Sequence, residues 1–354
     1  MDAKFSKMVY RAGIIGCGNI GSNLDCDPLR KEIWTHAGAY SKTKKVKLVS
    51  AADIEEKKLK IFSQRWKVNR VYVDYKKMFK NECLDIVSIC TPTSLHRKMT
   101  IDAADSGVKA IFCEKPIARS LEEADEMIKV CKRNRVVLAI NQMRRWDPLY
   151  LKVKKLLIKD EIGKLQTIVG YVDTALFMNS IHLLDMILYF AGNIDWMIGF
   201  LQKDFIRIVD GKPDPGGLSY VRFKNGTHGF IKATGKSWEY HMFEIDLQGD
   251  QGRIRLYNDG HKAELYKFKK SKHFSGYKEL SRSKFPLIDN KERIVNAVKD
   301  IIRAIETGRE PACSGADGRA ALEFAFGFHL SERAGNKKIK FPISEESVEK
   351  IQTL

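Results

Sequence analysis

Gly16-Cys17-Gly18-Asn19-Ile20-Gly21 sets three glycines at the spacing that lets a main chain pass close to a pyrophosphate. The motif directly follows a β-branched run and is expected to open a helix whose first N–H groups and positive dipole end face the anion. Gly16, Gly18, Asn19, Ile20 and Gly21 are therefore candidate cofactor-binding residues. Asp53 closes the next apolar run, where a carboxylate accepts hydrogen bonds from adenosine ribose hydroxyls and repels a 2′-phosphate. NAD is the expected cofactor on that ground, with Lys57 and Lys58 arguing for NADP. Asp is also a preferred helix N-cap, a role compatible with the first. Two further apolar runs end in Cys90-Thr91-Pro92-Thr93-Ser94-Leu95-His96 and in Cys113-Glu114-Lys115-Pro116. Ligands of open α/β sheets sit beyond the carboxyl ends of the strands, so Thr91, Pro92, His96, Glu114 and Lys115 are expected to border the nicotinamide half. For His96 the alternative is a structural histidine at a helix start.

These motifs need strands behind them. Val9–Ile15, Val46–Ala52, Arg70–Val73, Asp85–Cys90, Ala110–Cys113 and Val136–Ile140 read as strands, alternating with helical patterns such as Glu55–Trp66 and Leu121–Arg133. The alternation predicts a doubly wound parallel sheet over residues 1–143. Residues 144–354 read as a second, α+β domain. It has helices at Leu149–Lys159 and Ile181–Phe190 and strands at Leu165–Val172, Trp196–Leu201, Phe205–Val209, Leu218–Phe223, His228–Thr234, Phe243–Gln248, Arg253–Tyr257 and Ala263–Phe268. Turn pairs such as Asn225-Gly226 and Asp259-Gly260 make that sheet mostly antiparallel. Helices at Glu292–Glu306 and Gly318–Ala334 and an extended Lys338–Pro342 close the chain.

A 354-residue chain that is 44% hydrophobic can build two cores. Its longest apolar stretches, such as Ile181–Ala191, fall short of a membrane span, and no cleaved signal is expected before the glycine motif, which suggests a cytoplasmic protein. Seven cysteines without a Cys-x-x-Cys pair read as small buried hydrophobes, and the scattered histidines offer no metal site. The net charge of +18 attracts anions of any kind, and its densest stretch, Lys267–Lys284, reads as a solvated lysine-rich surface and not as a nucleic-acid patch.

Taken in order, the glycine fingerprint, the acidic end of the second strand, Thr91-Pro92…His96, Glu114-Lys115-Pro116, Asn141-Gln142-Met143-Arg144-Arg145-Trp146-Asp147-Pro148, Ser180-Ile181-His182-Leu183-Leu184-Asp185 and Gly249-Asp250-Gln251-Gly252 resemble the glucose–fructose oxidoreductase/inositol dehydrogenase (Gfo/Idh/MocA) family. The resemblance covers nearly the whole chain. It implies a Rossmann domain, then an open-faced antiparallel sheet, with the active site in the cleft between them. It further implies hydride transfer between NAD and a hydroxyl or keto carbon of a sugar, nucleotide sugar or cyclitol. By the same match Lys115 contacts nicotinamide and substrate hydroxyl, and His182 is the general acid/base. Residue chemistry agrees, because histidine titrates near neutral pH and a lysine ammonium stabilises negative charge developing on oxygen.

Many relatives carry an aspartate four residues before this histidine, where the present chain has Met178 and then Asn179. Either Asn179 orients His182 and substrate, or the proton relay differs. Arg144 and Arg145 are candidates for an anionic substrate group, with an inter-domain salt bridge as the alternative reading. The rival function is a catalytically silent NAD(P)-binding sensor. Relatives commonly pair through the open sheet face, which implies a homodimer or homotetramer.

Overall fold

The computed structural model describes residues 9–209, 211–235, 242–288 and 292–344. The chain divides into two compact units, Met1–Asp147 with Lys291–Arg319, and Pro148–Asn290 with Ala320–Leu354.

In the first unit β1 (Tyr10–Ile15), β2 (Val46–Ala52), β3 (Arg70–Tyr72), β4 (Ile86–Ile89), β5 (Ala110–Cys113) and β6 (Val137–Ile140) form one sheet in the order β3-β2-β1-β4-β5-β6. Every pairing is parallel, and each strand lies within one residue of its expected ends. Central strands of such a sheet are covered on both faces, which explains why Ile86–Ile89, apolar but for Ser88, and Ala110–Cys113 show no alternation and are wholly buried. The crossovers are α1 (His36–Lys42), α2 (Glu56–Trp66), α3 (Tyr75–Asn81), α4 (His96–Asp105) and α5 (Leu121–Arg133). Side chains fix the starts of α1, α3 and α5: Thr35 accepts from the Gly38 N–H, Asp74 from Lys76 and Ser120 from Glu123.

The glycine motif does not open a regular helix, contrary to expectation. Asn19–Asn23 is one π turn, with the Ser22 and Asn23 N–H groups both donating to the Gly18 carbonyl, and a short 3-10 turn follows at Leu24–Cys26. Pro28 then supplies no N–H, and Asp25 folds the excursion back by accepting from the Trp34 N–H (2.6 Å) and the Thr35 hydroxyl (2.5 Å).

The second unit contains α6 (Pro148–Ile158), β7 (Leu165–Val172), α7 (Ile181–Ala191), β8 (Ile194–Val209), β9 (Lys212–Phe223), β10 (His228–Ala233), β11 (Phe243–Gly249), β12 (Gly252–Tyr257), β13 (Lys262–Lys270) and β14 (Lys278–Ser283). Between them and β15 (Ile339–Lys340) run α8 (Arg293–Thr307), which belongs to the first unit, and α9 (Gly315–Arg333). The sheet order is β14-β13-β12-β11-β7-β10-β9-β8-β15, antiparallel except for β10 against β7. Its inner face packs Ile168, Val221, Ile231, Ile245 and Ile254 with Val153 of α6, Leu184 of α7 and Phe324 and Phe328 of α9. The opposite face leaves Phe200, Leu218 and Phe230 about half exposed.

Trp196–Leu201 and Phe205–Val209, expected as two strands, are one, because β9 pairs with both across a register shift between Leu201 and Ile206. The polar Gln202-Lys203-Asp204 interrupts the apolar alternation without ending the strand. β14 was not expected, since Lys-Glu-Leu-Ser-Arg-Ser at a sheet edge shows no apolar alternation. With β13 it contains most of the densest basic stretch. Cys26 and Cys83 are exposed, whereas Cys17, Cys113, Cys131 and Cys313 are buried small residues as expected. Among the described residues no helix is long and apolar enough to cross a membrane.

On α9, His329 is 6% exposed, stacks on Phe177 at 5.5 Å, and has no hydrogen-bond partner at Nε2. Burial, aided by the Arg333 charge, lowers its pKa to about 4. A histidine depressed from its usual value of about 6.5 stabilises the fold while neutral and loses that contribution as pH falls from 6.5 toward 4. Urea unfolding of the unmodified protein should therefore show stability falling more steeply between about pH 6 and 4 than in His329→Phe, by up to about 1.4 kcal/mol per pH unit. Parallel pH profiles would contradict the assignment.

Candidate active site

β1 and β4 are neighbours in the first sheet, and the strand order reverses between them, so their carboxyl ends flank its switch point. There the chain has room for hydrogen only. A Cβ on Gly16, whose φ is +95°, would lie 2.6 Å from the Cys90 carbonyl oxygen, and one on Gly21 would lie 2.1 Å from that of Gly16. Gly18 differs, because a Cβ there would meet nothing within 4 Å. The first and third glycines are thus demanded by the protein's own packing, while the second leaves the main chain open to approach from outside. These residues fit a dinucleotide pyrophosphate. Asn19 and Ile20 lie in the π turn that takes the place of the expected helix start.

Asp53, at the end of β2, accepts from the Cys17 N–H at 2.7 Å with Oδ2 and from the Glu55 N–H at 2.9 Å with Oδ1. The carboxylate therefore ties the glycine turn to the start of α2, where Glu55 holds the N-cap position. A carboxylate offers about four lone-pair sites, so both contacts leave capacity for ribose hydroxyls. Lys58 is paired with Glu55 at the same helix start.

The loops after β4 and β5 are joined by His96, which is fully buried. Its Nδ1 lies 2.9 Å from the Pro116 carbonyl oxygen and its Nε2 lies 2.9 Å from that of Thr91. Burial pushes its pKa down, and the two carbonyls pull against that. Both ring nitrogens face main chain, so any part His96 plays in binding a ligand runs through the loops it joins. Thr91 is half-buried, with its hydroxyl 3.5 Å from the Met99 sulfur, and Pro92 precedes the short 3-10 turn Thr93–Leu95.

Glu114 is buried at the end of β5, and its Oε1 meets His36 Nε2 at 2.9 Å and accepts from Asn141 Nδ2 at 2.6 Å. Burial alone would raise the Glu114 pKa. The His36 hydrogen bond, then Asn141 and the Lys115 charge, more than offset it and hold the carboxyl below its usual range. His36 Nδ1 lies 2.7 Å from the Ser88 hydroxyl, which lies 2.6 Å from that of Tyr40. His36, Tyr40, Ser88 and this use of Asn141 escaped the sequence reading. The available signal was the His36/Tyr40 pair at i and i+4 among small residues, which puts two polar rings on one face of α1.

Arg144 and Arg145 are both buried in the 3-10 turn Met143–Trp146 that follows β6. Arg145 donates to Asp317 Oδ1 at 2.9 Å and to the Ala312 carbonyl at 3.3 Å, an ion pair within the first unit. The turn is fastened to α8 by Arg293 on Asp147 (2.5 Å) and by the Trp146 indole N–H on Asp300 (2.9 Å).

In the second unit His182 lies in the first turn of α7, 7% exposed, and Asp185 follows one turn later, fully buried. The π turn Leu176–Ser180 leads into α7. Met178 accepts there from the Arg207 guanidinium at its sulfur, 2.6 Å away, and Asn179 is exposed. Sequence reasoning quoted Asp185 within a motif and gave it no role, although its i, i+3 spacing from His182 was visible.

Residues 10–142 match a family described as an oxidoreductase family with an NAD-binding Rossmann fold, GFO_IDH_MocA. YrbE of Bacillus subtilis, an uncharacterized oxidoreductase, is 26% identical over 96% of this chain and 97% of its own. Myo-inositol 2-dehydrogenase of Thermotoga maritima is 24% identical over 88% of this chain and 93% of its own. Among solved structures, levoglucosan dehydrogenase in complex with NADH and levoglucosan has a TM-score of 0.79 at 19% identity, covering 95% of this chain and all of that one, a likeness of fold.

The contrast between glycines is open to test. Gly18→Ala should change stability by less than about 1 kcal/mol while dinucleotide binding weakens at least tenfold. Gly21→Ala, with its Cβ driven into a carbonyl, should lose about 3 kcal/mol or more. Chemical unfolding with NADH titration reads both, and full binding by Gly18→Ala would refute the cradle.

Proposed function

We propose that this chain, whose residues 10–142 match the Gfo/Idh/MocA family of oxidoreductases, is an NAD-dependent dehydrogenase or reductase acting on a hydroxyl or keto carbon of a sugar, nucleotide sugar or cyclitol. The observation that carries the reading is the open main chain at Gly18 between two glycines that the fold itself requires. Gly16–Gly21 would hold the pyrophosphate and Asp53 the adenosine ribose, with NAD preferred because the carboxylate opposes a 2′-phosphate. Thr91, Pro92 and Glu114-Lys115 would border the nicotinamide half. The cofactor, when bound, supplies a hydride acceptor or donor.

The protein's own residues do the rest. Lys115 donates a hydrogen bond to the reacting oxygen and stabilises the charge that develops there. His182 takes or returns the hydroxyl proton. Asp185, buried one turn along the same helix, is the carboxylate that orients His182 in this reading, taking the place of the aspartate absent at Met178. Arg144, Arg145 and Asn179 are the substrate-contact candidates in this reading, with Arg145 also paired with Asp317. The similarity to myo-inositol 2-dehydrogenase of Thermotoga maritima supports a polyhydroxylated substrate. Met178 favours one other reading, a silent NAD(P)-binding sensor.

NADH formation across free sugars, cyclitols and nucleotide sugars separates the two. Lys115→Ala should retain NAD binding and lose about 100- to 1,000-fold in turnover. Equal turnover by both proteins would remove Lys115 from the chemistry, and silence from both across the panel would favour the sensor.

A further inference from the structure

A chain of buried, hydrogen-bonded polar groups leads to Glu114, the residue before Lys115. An ionised Glu114 can only accept, so Asn141 must turn its amide nitrogen toward it and His36 must place a proton on Nε2. His36 Nδ1 is then free to accept from the Ser88 hydroxyl, and Ser88 from the Tyr40 hydroxyl. One direction of donation, Tyr40 to Ser88 to His36 to Glu114, satisfies every link with a neutral imidazole. The Phe112 ring, 4.4 Å from His36, and the Trp146 ring, 5.9 Å from Phe112, wall the group off from water. Glu114 Oε2, the other oxygen, accepts from the main-chain N–H of Lys115 at 3.3 Å.

We propose that His36 and Asn141 are positioning residues that keep Glu114 ionised, and that this fixed negative charge keeps the neighbouring Lys115 ammonium protonated. A buried carboxylate without such donors takes up a proton, because desolvation disfavours its charged form. Its charge then no longer supports the ammonium, and lysine loses its proton at lower pH. The other groups around Glu114 do not replace His36. From α1 Tyr40 and from β4 Ser88 stand behind His36 in the chain. Cys90, half-buried after β4, and Cys113, buried at the end of β5, are thiols raised by desolvation and by Glu114 itself, so they are neutral. The inference rests on the proposed function only where Lys115 is assigned to chemistry.

The test compares His36→Leu, which removes the donor, with His36→Gln, whose amide can still donate to Glu114. The rate at which an amine-reactive acylating reagent labels Lys115, read by peptide mass spectrometry from pH 6 to 10, reports the neutral amine and needs no substrate. In His36→Leu the labelling profile should move about one unit toward acid, roughly tenfold faster labelling at a given pH below the midpoint. His36→Gln should stay near the unmodified protein. Where a substrate is found, the alkaline limb of kcat should move in the same direction in His36→Leu, with KM and NAD affinity changed little. Unchanged labelling of folded His36→Leu would overturn the inference whether or not any sugar turns over. If instead the labelling moves while no substrate is found, the electrostatic role stands and the dehydrogenase reading fails.

Discussion

At the switch point of the parallel sheet, the turn leaving β1 passes so close to the end of β4 that a methyl group at Gly16 would overlap the Cys90 carbonyl, and one at Gly21 would overlap that of Gly16. Two positions that admit only hydrogen fix the path of the main chain, and Asp53 then holds that path by binding the Cys17 N–H. Everything else proposed for the first unit depends on this fixed turn. The loops after β2, β4 and β5 reach the same edge because all six strands run parallel, and the open side of Gly18 is the face proposed for the cofactor.

The same edge concentrates buried polar groups, which are costly unless satisfied. Leaving one donor or acceptor unmade costs about 1–3 kcal/mol, and more when the group is charged. The unit meets that cost by pairing across elements: His96 joins two loops, His36 and Asn141 meet at Glu114, and Arg293 meets Asp147. Breaking one partner of such a pair leaves an uncompensated charge, so these groups restrict how the loops can move more than they add net stability. Not every atom joins the scheme. Asn141 Oδ1 is buried without a hydrogen-bond partner, since its amide nitrogen is committed to Glu114.

Strands of the first unit were legible because buried parallel strands are short apolar runs between clear turn signals, and the motifs at their ends already marked the edge proposed for the cofactor. What was not legible arose from contacts distant in sequence. Nothing local marks that Asp25 captures Trp34 and Thr35, so the π turn and excursion after Gly21 read as an ordinary helix start. His36 lies 78 positions from Glu114, and no periodicity connects them. Within the second unit, polar residues in β8 and β14 hid one long strand and one edge strand, because pairing with a neighbour, not apolar pattern, holds them in place. Segment 291–319 carries the pattern of any amphipathic helix, and its membership of the first unit follows from contacts alone.

The charge of +18 leaves one matter for solution measurement, since attraction of anions by a basic surface and capture of a dinucleotide by a glycine turn both bind phosphate. They differ in response to salt and in discrimination. Titration of the unmodified protein with NADH and NADPH, at about 50 and 200 mM salt, separates them. The account predicts saturable binding of one NADH per chain, tighter than NADPH and little changed by salt. Tighter binding of NADPH, or affinity that collapses for both as salt rises, would contradict the role given to Gly18 and Asp53.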